Sequence, residues 1–133
     1  MEDNWASIDN ARNRFGREGF KTVLCVCSAG LLRSPTAAKV LQQEPYSFNT
    51  RSCGVEGYAL IPLSAPLIEW ADAIVCMGKA NDHEALVRVH SYFVKRPKPI
   101  ISLDIPDKFC YSDPELIKLI KERFDDRRKT ISF

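Results

Sequence analysis

The sequence predicts a three-layer α/β fold: a four-stranded parallel sheet with helices on both faces. Three observations carry this. Strand-like runs fall at 22–27, 48–53, 73–77 and 99–103. Stretches with helical periodicity or helix-start signals separate and follow them. The first and third runs are near-continuously apolar, as strands covered on both faces are. Alternation of strand and helix is the pattern of parallel βαβ units.

The bulk numbers fit this. A chain of 133 residues, 45% hydrophobic and 27% charged, suits one globular domain with a proper core. The formal net charge of +2 is too small to imply nucleic acid. No apolar run approaches the ~20 residues of a membrane span. The N-terminus lacks the basic-then-apolar form of a secretory signal. Five cysteines, an odd number with no CxxC pair, argue against a disulfide framework, and with only two histidines they also argue against structural zinc. The expected setting is cytoplasmic with reduced thiols. No metal or cofactor is expected, and neither nucleic acid nor a membrane is expected as a partner.

Residues 1–21 are polar, with Trp5, Ile8, Phe15 and Phe20 scattered among charges, and read as an extension ahead of a catalytic domain at 22–133. The run 22–27 is the first strand. Ser34 is a natural N-cap and Pro35 a natural first residue for a helix over 35–43, which Pro45 ends. Phe48 to Cys53 is the second strand, stopped by Gly54. Ser64 caps a short helix at 65–71. Ala73 to Met77 is the third strand and Gly78 ends it. Residues 80–91 are helical in pattern; His83 and His90, seven apart, belong to the surface of that helix. Pro99 to Leu103 is the fourth strand. Asp113 caps the last helix at Pro114, whose buried face carries Leu116, Ile117, Ile120 and Phe124. Its basic end, Arg127-Arg128-Lys129, complements a helix C-terminus.

The chemistry concentrates between the first strand and the first helix. Cys27 ends the strand, the loop Ser28-Ala29-Gly30-Leu31-Leu32 follows, and Arg33-Ser34-Pro35 leads into the helix. A loop of this length can turn its backbone N–H groups onto one point, where the helix N-terminus adds donors and a positive dipole end. Arg33 can fork two hydrogen bonds to phosphate oxygens. A thiol beside a cation and a helix N-terminus ionises readily and becomes a nucleophile. Ser34 Oγ can donate to that sulfur. Residues 28–34 are therefore the expected phosphate-binding set and Cys27 the expected nucleophile. No GK[ST] follows the glycine, which excludes a Walker loop. Cys25, two residues back on the same strand face, reads as core.

The segment Val26 to Pro35 resembles the phosphate loop of the low-molecular-weight protein tyrosine phosphatase family, and the likeness extends over about 22–128. Ser52-Cys53-Gly54 and Glu69 to Met77 support it, and Leu103-Asp104-Ile105-Pro106-Asp107 is similar to a short bacterial branch of the family. The resemblance implies a phosphotyrosine phosphatase I-like fold with the general acid in the loop after the fourth strand. There it singles out Asp107 as the acid and Asp104 as the second choice. It also makes Tyr58 a candidate wall for an aromatic ring of substrate. Cys27 and Asp107 both follow carboxyl ends of strands, where α/β sheets place their sites.

The chain departs from the family pattern. Gly30 stands where Asn commonly braces the loop, Leu32 where a second cysteine is often found, and Lys108 where a proline usually follows the acid. Cys53, Cys76 and Cys110 read as structural. The expected activity is hydrolysis of aryl phosphates, foremost phosphotyrosine in protein or a small aryl phosphate, through a phosphocysteine. The alternatives are an arsenate reductase of the same fold, with Cys76 and Cys110 as relay candidates, and a phosphoanion-binding module without turnover.

Overall fold

A computed structural model of the chain describes residues 20–27, 33–55, 59, 61–78, 86–88, 96, 98–106 and 108–130. The strands are β1 (Thr22–Cys27), β2 (Asn49–Gly54), β3 (Ala73–Cys76) and β4 (Ile100–Ser102). The helices are α1 (Arg33–Leu41), α2 (Ala65–Trp70) and α3 (Pro114–Arg127), and residues 86–88 are also helical. The four strands form one parallel sheet in the order β2-β1-β3-β4. No helix among the described residues is long and apolar enough to cross a membrane.

Strand periodicity divides the core into two. Val23, Cys25 and Cys27 of β1 share a cluster with Ala37, Val40 and Leu41 of α1 and Leu116, Ile120 and Phe124 of α3. Leu24 and Val26, pointing the other way, pack with Ile68 of α2, Ile74 and Cys76 of β3, and Val87. Both faces of the sheet are covered, so the fold is three layers deep. That is why β1 carries apolar side chains at successive positions.

The order places β1 inside the sheet. The chain leaves β1 for β2 through α1 on one face, and leaves β3 for β4 past Val87 on the other. The gap at the carboxyl ends of β1 and β3 is the topological switch point, the crevice where such sheets bind ligands. Pairing persists up to that edge. Val55 N–H donates to the Cys27 carbonyl at 2.9 Å, and Met77 N–H to that of Val26 at 2.8 Å.

Several boundaries shift from the expected ones. α1 starts at Arg33, so Ser34 lies within its first turn instead of capping it. β2 begins at Asn49, because Phe48 N–H is already committed to the Leu41 carbonyl and its ring packs on Tyr46 and Phe124. Ser64 holds the N-cap position of α2 without a side-chain capping bond. Asp113 does cap α3, accepting from Glu115 N–H at 2.9 Å. Of the helix expected over 80–91, residues 86–88 are described; His83 and His90 lie outside the described residues, as do 1–19.

Candidate active site

Cys27 is the last residue of β1 and is 3% exposed. Its Sγ lies 3.1 Å from Ser34 Oγ, with either atom able to donate. Ser34 Oγ is also 3.3 Å from the Cys53 carbonyl on β2. A hydroxyl has one proton. When Ser34 donates to the Cys53 carbonyl, Cys27 S–H donates to Ser34. When the sulfur is a thiolate, Ser34 turns its proton onto the sulfur. The arrangement therefore serves both protonation states of Cys27 without moving a heavy atom.

Arg33 opens α1 and is 4% exposed. Its Nη1 donates to the Ile105 carbonyl at 2.8 Å. A guanidinium carries its five N–H donors in a planar fork that suits the oxygens of an anion. A positive charge held away from bulk water attracts an anion more strongly than the same charge on the surface.

The loop after β4 is fixed at several points. Leu103 N–H donates to the Cys76 carbonyl and Ile105 N–H to that of Met77, each at 2.8 Å, continuing the β3 pairing beyond β4. Leu103, Ile105 and Phe109 are buried in the cluster shared with α1 and α3. Between Ile105 and Phe109, the Lys108 amide donates to the Pro106 carbonyl at 3.0 Å. At the far end Ser112 N–H donates to Thr36 Oγ1 on α1 at 2.9 Å. From α3, Arg123 Nη1 donates to the carbonyls of Leu103, at 3.0 Å, and of Asp104. Arg127 Nη1 donates to that of Ser102. Asp104 has φ 58°, in the left-handed region, and is exposed.

Of the expected site residues, the fold brings together Cys27, Arg33 and Ser34, with Ile105 beside them. Ser28, Ala29, Gly30, Leu31, Leu32, Tyr58 and Asp107 lie outside the described residues. The other thiols divide. Cys25, Cys53 and Cys76 are buried, whereas Cys110, expected to be structural, is exposed. It falls in an outward turn just past Phe109, whose ring fills the core position. Burial pushes the Cys25 thiol far above its usual value, with Cys27 and Cys76 adding to the shift. Cys53 moves the same way for the same first cause. Both therefore stay protonated at neutral pH and are inert as nucleophiles.

Sequence reading missed the Arg33–Ile105 bond and the roles of Arg123 and Arg127. The available signal was the spacing of the two α3 arginines, four residues apart and so on one helix face, beside the apolar stripe of Ile120 and Phe124.

No family model matches the chain, and no curated protein matches its sequence. Solved structures do match. The tyrosine phosphatase Wzb from Escherichia coli, solved with phosphate, aligns with TM-score 0.61 and 17% identity over 85% of this chain and 99% of that one. Wzb from Vibrio vulnificus, solved with benzylphosphonate, aligns with TM-score 0.61 and 21% identity over 85% of this chain and 100% of that one. The fold is that of the low-molecular-weight tyrosine phosphatases. A thioredoxin-dependent arsenate reductase from Corynebacterium glutamicum also has this low-molecular-weight phosphatase fold. It aligns with TM-score 0.55 and 18% identity over 86% of this chain and 63% of that one.

Proposed function

We propose that the protein is a cysteine-dependent phosphomonoesterase that hydrolyses aryl phosphates, with protein phosphotyrosine as the leading substrate class. The observation that carries this reading is the trio at the switch point: Cys27 Sγ 3.1 Å from Ser34 Oγ, with the buried Arg33 next in sequence. The phosphate and benzylphosphonate bound by the two Wzb proteins support a phosphoanion substrate.

In this mechanism the amides of 28–34 and Arg33 hold the phosphoryl oxygens. The Cys27 thiolate attacks phosphorus, forming an S–P bond as the P–O bond to the aryl group breaks. Asp107 gives its proton to the departing oxygen, with Asp104 the second candidate for that role. A water molecule then loses a proton to the same carboxylate and attacks phosphorus. The S–P bond breaks, releasing inorganic phosphate and restoring the thiolate. Ser34 stabilises the sulfur as nucleophile and again as leaving group. No metal or cofactor enters these steps.

Turnover of p-nitrophenyl phosphate tests the reading. The wild-type chain hydrolyses it and Cys27→Ser does not; activity retained in the variant removes Cys27 as nucleophile. Phosphate binding without hydrolysis by the wild type would leave only an anion-binding module.

A second reading, arsenate reduction, draws on the Corynebacterium glutamicum neighbour. It needs a relay of two further thiols, and Cys25, Cys53 and Cys76 are all buried. Thioredoxin-coupled arsenate turnover that is lost in Cys110→Ala would establish it over the phosphatase.

A further inference from the structure

We propose that Arg123, on the outer helix α3, is a positioning residue for the acid-bearing loop: by holding the Leu103 and Asp104 carbonyls it registers that loop against Arg33 and Cys27. The proposal rests on the phosphatase reading.

The geometry starts at the sheet edge. β4 has three residues and pairs with β3. Beyond it, the amides of Leu103 and Ile105 keep to the β3 side, bonded to Cys76 and Met77. The carbonyls of Ser102, Leu103 and Asp104 are taken by α3: Arg127 holds the first and Arg123 the next two. Ile120 and Phe124, fully buried, root this turn of α3 in the core, so Arg123 is presented from a fixed base.

The middle of the loop depends on that grip. Asp104 sits in the left-handed region, which is unfavourable for an L-residue even though aspartate tolerates it better than most. Charge-assisted bonds to its carbonyl and the preceding one offset that cost. The reversal at Asp104 then points Ile105 N–H to Met77 and the Ile105 carbonyl to Arg33. Arg123, Asp104, Ile105 and Arg33 thus form a continuous chain from α3 to the guanidinium of the residue that precedes Ser34, the partner of Cys27. Among the described residues, the bonds of Arg123 are to backbone that precedes Pro106. It acts by direction, setting where the following carboxylate is carried.

Kinetics of Arg123→Ala and Arg123→Lys in the full chain test this, with p-nitrophenyl phosphate, whose leaving group needs little proton donation, and phenyl phosphate, whose leaving group needs it. A misplacement near 1 Å can cost ~10²-fold. On kcat/KM, which reports the first, leaving-group-dependent step and not the shared hydrolysis of the phosphocysteine, Arg123→Ala should therefore cost phenyl phosphate about tenfold or more, against less than about threefold for p-nitrophenyl phosphate. Inhibition by inorganic phosphate should change little, and Arg123→Lys should recover part of the loss. Lys118→Ala, on the exposed side of α3, serves as the control that leaves both rates unchanged. The Leu103 and Ile105 amides should exchange with solvent faster in Arg123→Ala. Equal losses on both substrates, or no loss on either, overturn the proposal. If Arg123→Ala does not fold, the ratio of the two rates in Arg123→Lys decides instead: a changed ratio supports the role and an unchanged one overturns it. A wild type inactive on both substrates would defeat the phosphatase reading alone. Amide exchange would still judge the clamp, faster exchange supporting it and unchanged exchange overturning it.

Discussion

Arg33 and Ile105 are joined by a 2.8 Å hydrogen bond from guanidinium to carbonyl, although 72 residues separate them in sequence. This contact ties the start of α1 to the loop after β4. In the proposed mechanism, phosphate binding and proton donation would thereby be linked through one side chain. An ammonium cannot reproduce the planar fork that serves a carbonyl and an anion together. Arg33→Lys should weaken inhibition by inorganic phosphate by about tenfold or more, the scale of losing one charge-assisted bond. Phosphate inhibition equal to wild type would show that Arg33 does not face the anion.

Ser34 offers a sharper test of the sulfur's surroundings. A hydrogen bond to a charged atom contributes ~1.5–3 kcal/mol, so Ser34→Ala should lower kcat/KM on p-nitrophenyl phosphate by roughly ten- to a hundredfold. Because Ser34 Oγ also contacts the Cys53 carbonyl, a small loss of stability should accompany it. A variant with full activity would mean that the 3.1 Å contact has no bearing on the chemistry.

The two aspartates of the β4 loop separate by leaving group. Asp107→Asn should lower kcat/KM, which reports the first step, by ~10²-fold or more on phenyl phosphate, the usual contribution of a general acid, and far less on p-nitrophenyl phosphate. It should also remove the alkaline limb of the pH–rate profile that an essential acid produces. If Asp104→Asn shows this pattern and Asp107→Asn does not, the acid assignment passes to Asp104.

Tyr46 contributes a pH dependence to stability at high pH. Its hydroxyl donates to Asp125 Oδ1 at 2.9 Å, and its pKa is pushed up to about 12, by burial first and then by the Asp125 carboxylate, with Arg128 opposing. The unfolded chain releases this proton near pH ~10. Between those values the unfolded state binds fewer protons than the folded one, so stability falls as pH rises from about 10 towards 12 and is unaffected below that window. Tyr46→Phe should lower stability at neutral pH by at most about 1 kcal/mol and flatten the alkaline decline. Urea unfolding at pH 7 and pH 11 measures both, and an undiminished decline in the variant would assign it to another group.

The layers of the fold were readable because β1 and β3 are apolar at successive positions and the boundaries carry clear signals, Pro45 after α1, Gly78 after β3 and Pro114 at the start of α3. The Cys27–Arg33–Ser34 spacing was readable because it is local. What could not be read lies at long sequence range. The Arg33 bond to Ile105 is with a backbone carbonyl and leaves no mark on residue identity. Arg127 and Arg128 suggested a complement to the α3 dipole. They do stand at its C-terminus, and in addition Arg127 bonds Ser102 and Arg128 lies over the Phe48 and Phe124 rings. Composition shows that cations end the helix; tertiary packing decides what they hold.

The strand order has a consequence for how the site comes apart. β1 has neighbours on both sides and pairs as far as Cys27, whereas among the described residues β4 is a three-residue edge strand with one neighbour. Opening the nucleophile's strand breaks two ladders, a cost close to that of unfolding the whole domain; opening the strand ahead of the acid loop breaks one short ladder. In the proposed mechanism, the two halves of the reaction thus sit on parts of unequal local stability. Under thermal stress catalysis should fail at proton donation while the thiol is still in place.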